Sequence, residues 1–74
     1  MNEQEAKEIV LEWLKEIDYT FGSPVLSITS LGLEYHGGTL PENVGNAFLD
    51  LPRKEEYELL AEFAAWGLKE GAKG

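Results

Sequence analysis

The sequence predicts a small, single-domain α+β fold, with an all-α helical bundle as the alternative. Two long segments, one near each end, repeat apolar residues at helical spacing. Between them lies a stretch rich in β-branched residues that alternates apolar and polar. No internal repeat and no long linker divides the 74 residues.

The first helix is expected from about residue 3 to residue 21. Asn2 followed three positions later by Glu5 is a capping-box pattern, and Ala6, Ile9, Val10, Trp13, Leu14, Ile17 and Phe21 share one face. Gly22 and Pro24 then mark its end.

Residues 25–36 read as a short β-hairpin. Leu26 and Ile28 alternate with Ser27 and Thr29, and Leu33 and Tyr35 alternate with Glu34 and His36. Two strands joined around Ser30 to Gly32 would put the four large apolar residues on one face. The competing reading is a helix that starts at Ser23, with Pro24 in its first turn, and ends at Gly32.

A short helix is expected over about residues 41–50. Thr39 and Glu42 with Pro41 between them resemble a helix start, and Leu40, Val44, Phe48 and Leu51 fall on one side. Gly45 weakens this element by about 1 kcal/mol relative to Ala.

The last helix is expected over about residues 52–70. Pro52 suits its first turn, Glu55 and Glu56 complement the positive end of its dipole, Lys69 the negative end, and Gly71 suits a left-handed stop. The final three residues are expected to fray. At roughly 100° per residue, Tyr57, Ala61, Ala64 and Leu68 form one apolar line and Leu59, Phe63 and Trp66 a second. A helix apolar over that much of its circumference needs cover from two sides. The first line, with Leu60, is expected to pack on Val10, Trp13, Leu14 and Ile17. The second is expected to associate with another chain, most simply a copy of this one.

Size points the same way. A chain this short buries only about 60% of the surface its unfolded form exposes. Small domains commonly add disulfides, a metal or oligomerisation. The sequence has no cysteine and one histidine, so disulfides, thiolate zinc sites and a multi-histidine site within one chain are excluded. Oligomerisation remains.

The net charge is −8, spread so that residues 1–18 carry −4, residues 19–52 carry −3 and residues 53–74 carry −1. Arg53 and Lys54 are the only adjacent cations. Nucleic acid and anionic membranes attract clustered cations, so neither is an expected direct partner. The acidic start is unlike a secretory signal, and no apolar run approaches the ~20 residues of a membrane span. A cytoplasmic protein is expected.

Three functional readings follow. The first is a non-enzymatic, acidic protein-interaction module, a homodimer through Leu59, Phe63 and Trp66, without cofactor or metal. The second uses Glu5, Glu8, Glu12 and Glu16, a carboxylate stripe on the first helix about one turn apart. Such a row can imitate phosphates and occupy the basic groove of a nucleic-acid-binding protein, making the chain its inhibitor or regulator. The third is a small metal or enzymatic site at His36, the one side chain that ordinarily titrates near neutrality, with Glu34 on the same face of a strand. A solvent-facing histidine before the Gly37-Gly38 turn is the preferred account of His36, and neither a phosphate-binding loop nor a nucleophile elbow is present.

Overall fold

The computed structural model describes residues 2–70. Within them the chain forms four helices, α1 (Glu3–Phe21), α2 (Pro24–Gly37), α3 (Glu42–Leu49) and α4 (Arg53–Lys69), and no strand. The fold is all-helical, so the hairpin expected over residues 25–36 is replaced by α2. The expected stop at Gly71 and the frayed end lie outside the described residues.

Local chemistry explains the correction. Ser23 caps α2 by accepting from the Leu26 N–H at 3.3 Å, and Pro24 follows in the first turn. At the other end Gly38 takes the left-handed conformation at φ 72°, and the Thr39 N–H donates to Glu34 O at 2.9 Å. Ser and Thr residues that lower helix propensity are accommodated by bonding back along the helix. Ser27 Oγ donates to Ser23 O and Thr29 Oγ1 to Val25 O, each at 2.9 Å. Ser30 Oγ donates to Glu34 at 2.6 Å. The helix runs through Gly32, where the shorter helical reading would have ended it. Defined ends outweigh the strand preference of Val25, Ile28 and Thr29.

Helix α1 is the hub, and each of the other three helices packs against it. Asn2 accepts from the Glu5 N–H at 2.8 Å and returns its side-chain amide to the Glu5 carboxylate at 3.2 Å. The return bond of the capping box is thus made between side chains. Gly22 ends α1 at φ 67°, its N–H donating to Asp18 O at 2.7 Å. Ala6, Val10, Leu11, Trp13 and Leu14 of α1 form the centre of the core. Val44 and Ala47 of α3, Leu51 and Leu31 surround them, with Leu40 and Phe48 packed at the edge. Tyr35 stacks on Phe48 at 4.7 Å and joins the end of α2 to α3. Thr39 serves the end of α2, and α3 starts at Pro41 without a side-chain cap.

The packing of α4 is the reverse of the sequence expectation. Leu59 and Phe63 are core residues, each only 3% exposed, whereas Tyr57, Leu60, Ala61, Ala64 and Leu68 face outward. Lys7 of α1 supplies a physical reason. It lies beside Ala6 and Val10 on the buried face, is 6% exposed, and reaches Glu62 at 2.7 Å, Glu55 at 3.5 Å and Glu58 at 3.6 Å. A buried ammonium requires anionic partners. The three carboxylates lie on the flank of α4 next to the Leu59 and Phe63 line, so pairing them with Lys7 turns that line inward. Trp66 is half-buried, stacked on Phe63 at 5.9 Å and edge-on to Tyr19 at 5.9 Å, with Lys15 Nζ 5.7 Å from its ring.

Candidate interaction surfaces

Each sequence-predicted residue now has a place. Leu59, Phe63 and Trp66 share one face, but that face belongs to the chain's own core. Side chains already covered by α1 are not available to a second chain. The apolar surface that α4 offers to a partner is the opposite line of Tyr57, Leu60, Ala61, Ala64, Ala65 and Leu68, all exposed, with Leu68 at 79%. It presents large side chains at its ends and alanines at its middle. Arg53 lies 5.9 Å from the Tyr57 ring at its N-terminal edge.

Helix α2 carries a second outward apolar face, and its polarity is inverted. Ser27 is fully buried, with Ser30 and Glu34 half-buried, while Val25, Leu26, Ile28 and Leu33 face solvent. Val25 is 70% and Leu33 68% exposed. A surface helix ordinarily buries its apolar side. Here Leu31 is the only large apolar side chain of α2 that is buried. His36 is the one titratable group on the outward side. The sequence reading missed this inversion because it took Leu26 and Ile28 as inward residues of a strand.

The acidic stripe is partly assembled. Glu5, Glu8 and Glu12 line one open groove with Ile9 and with Asn43 of α3, whereas Glu16 does not border it. Each of the three carboxylates has a local partner. Glu5 accepts from Asn2, Glu8 from Gln4 at 3.0 Å, and Glu12 pairs with Lys15 at 3.0 Å.

The pairing of Glu34 with His36 does not survive the change from strand to helix. Positions two apart on a helix point to different sides; Glu34 is half-buried against Ser30, and His36 is exposed, edge-on to Tyr35 at 5.6 Å. Among the described residues, no three His, Cys, Asp or Glu side chains are grouped so as to hold a metal ion. No described helix is long and apolar enough to cross a membrane.

Sequence reasoning also missed the buried Lys7 cluster. A signal was present: Lys7, Leu11 and Leu14 fall on one side of α1, and Glu55, Glu58 and Glu62 fall on one side of α4. The Lys7 ammonium is held in its charged form above the ordinary lysine pKa. Its hydrogen bond to Glu62 is the largest cause, opposed by desolvation and reinforced by the charges of Glu62, Glu55 and Glu58. Three carboxylates around one ammonium make a latch between α1 and α4. No protein-family model, curated protein or solved structure matches the chain.

Proposed function

We propose that the chain is a non-enzymatic protein-interaction module that self-associates through the outward face of α4. The observation that carries this reading is the unpartnered line from Tyr57 through Leu60, Ala61 and Ala64 to Leu68 on a helix whose other face is already buried. Exposed apolar surface of this kind ordinarily marks a contact site. The inverted α2 supports an interaction role independently, because its apolar side also lacks cover. Catalysis has little to work with, since the groove at Glu5 is open and its carboxylates are locally paired.

Sedimentation equilibrium over a wide concentration range tests the proposal. A mass that rises reversibly from 8.3 kDa toward twice that value, and is held at the monomer by Leu68→Asp with helicity unchanged, is the expected result. A monomer at every concentration, or association unaffected by Leu68→Asp, would overturn it.

A second reading is favoured by the shared groove of Glu5, Glu8 and Glu12. As a phosphate-imitating regulator, the chain would capture a nucleic-acid-binding protein in a salt-sensitive manner, and duplex DNA would displace it. Capture that persists in the double variant Glu5→Lys, Glu12→Lys would argue against this reading.

A further inference from the structure

The outward side of α2 has the pattern of a surface that receives another helix. Leu26, Thr29, Leu33 and His36 are all exposed and follow one another at three, four and three residues, the spacing of a helix-packing seam. Val25 stands beside it, 70% exposed. The Thr29 hydroxyl donates to Val25 O, so it is satisfied within the helix and needs nothing from a partner. Residues 24–33 contain no charged side chain. The core side of the same helix carries Ser27, Leu31 and the bonded pair of Ser30 and Glu34.

Charge identifies the occupant. Among the described residues every Lys and Arg lies on α1 or α4. Between Lys15 and Arg53 the chain has no cation and five acids, Glu16, Asp18, Glu34, Glu42 and Asp50. Two of these bracket α2. Asp18 lies in the last turn of α1, just before the Gly22 turn that leads into α2. Glu42 is the one charged residue of an open groove at the other end, which it lines with Tyr35, Gly38, Leu40 and Leu49. An apolar strip bracketed by carboxylates, with no cation to balance them, attracts a helix whose apolar stripe is flanked by Lys or Arg. The same field turns away a copy of this chain, whose net charge is −8, and an anionic bilayer.

We propose that the outward face of α2 docks a basic amphipathic helix of another protein. Its apolar residues lie on Val25, Leu26 and Leu33, and its cations at the two ends face Asp18 and Glu42. The seam from Leu26 to His36 is about 15 Å long at ~1.5 Å per residue. The complex is therefore of the small, transient class, in which opposite charge sustains a fast and salt-sensitive association. This surface is separate from the outward face of α4, and the proposal does not depend on self-association there.

The test uses helical peptides of about 18 residues with one leucine and alanine face, identical except for flanks of Lys, Gln or Glu. A scrambled Lys peptide without the apolar stripe is the fourth probe. Fluorescence anisotropy of the labelled peptides reads binding to the full chain, and circular dichroism verifies that each variant is folded. The Lys-flanked peptide should bind at least about ten times more tightly than the Gln, Glu or scrambled peptide, an advantage largely lost at ~0.5 M salt. Leu26→Ser with Leu33→Ser should weaken it at least about tenfold, and Glu42→Gln about two- to three-fold. Leu68→Asp, which removes association through α4, should leave the peptide affinity as it is. Affinity indifferent to flank charge, or no binding of the Lys-flanked peptide, overturns the basic partner. Equal binding of the scrambled peptide, or binding that survives Leu26→Ser with Leu33→Ser, overturns α2 as the surface, and binding lost in Leu68→Asp moves it to α4. Partition of the chain into phosphatidylcholine vesicles, abolished by the same α2 variant, would make the occupant a lipid surface and overturn the proposal. Sedimentation of the wild-type chain reports α4 association separately, so either proposal can fail alone.

Discussion

Truncating Phe63 to alanine should remove a large part of the protein's stability, whereas truncating Leu68 should leave it almost unchanged. Phe63 is 3% exposed, contacts the core and stacks on Trp66. Deleting a buried phenylalanine ring costs about 3–5 kcal/mol, from lost transfer energy and the cavity left behind. A domain of this length has a total stability of roughly 4–11 kcal/mol at about 0.05–0.15 kcal/mol per residue. Phe63→Ala therefore removes about a quarter of that stability or more, and about 4–8 °C of melting temperature per kcal/mol. Leu68 is 79% exposed, so its loss should stay within about 0.5 kcal/mol. Urea unfolding followed by circular dichroism gives both values. Measurements at low and high protein concentration separate folding from association, because the Leu68→Ala deficit should appear only where dimers form. A mild Phe63→Ala together with a severe Leu68→Ala at low concentration would refute the assignment of the two faces.

Other consequences are equally specific. Lys7→Gln should lower the urea midpoint at neutral pH, because it leaves Glu55, Glu58 and Glu62 facing one another without a cation. The folded pKa of Lys7 is raised, so its contribution is complete below the ordinary value of 10.5 and is lost as pH climbs through the higher folded value. The gap between wild type and Lys7→Gln should narrow above that pH, and a gap that widens there would contradict the latch. Asn2→Ala removes the acceptor for the Glu5 N–H and should cost about 1 kcal/mol in thermal or chemical unfolding. Gly38→Ala should cost about 1–2 kcal/mol in the same unfolding measurement through its left-handed backbone alone, since a Cβ there meets open space.

How much of this was legible in the sequence varies by element. Helix α1 was, because its bounds, its Asn2 cap and Gly22 all agree, although Phe21, expected on the shared apolar face, is exposed and Leu11 is buried with the core instead. The inward line of α3 was also legible, with Val44 buried and Leu40 and Phe48 at the core edge. Helix α2 was misread because Val25, Ile28 and Thr29 favour strands and the apolar residues alternate. The deciding information lay at its ends, in Ser23-Pro24 and Gly38, and in hydroxyls that bond to their own helix. For α4 the sequence revealed two apolar lines without saying which faces inward. That choice is tertiary: it depends on Lys7, a residue of the opposite helix, and on α1 accepting the bulk of Leu59 and Phe63. The candidate interaction surface inherited the error, since the line assigned to a partner is the line the chain covers itself.

The most direct measurement is the reaction rate of a single introduced thiol in the folded protein. Leu59→Cys and Leu68→Cys are compared at low concentration with a small thiol reagent, each against its own rate in denaturant. Leu59 lies under α1, so a thiol in its place should react only after the helix opens, with protection of about ten-fold or more even after the destabilisation of the substitution. The thiol at position 68 should react at its unfolded rate, and become protected only as concentration rises and copies associate. Protection at position 68 beside free reaction at position 59 at low concentration would contradict the inward and outward assignment of α4 and the interaction surface drawn from it.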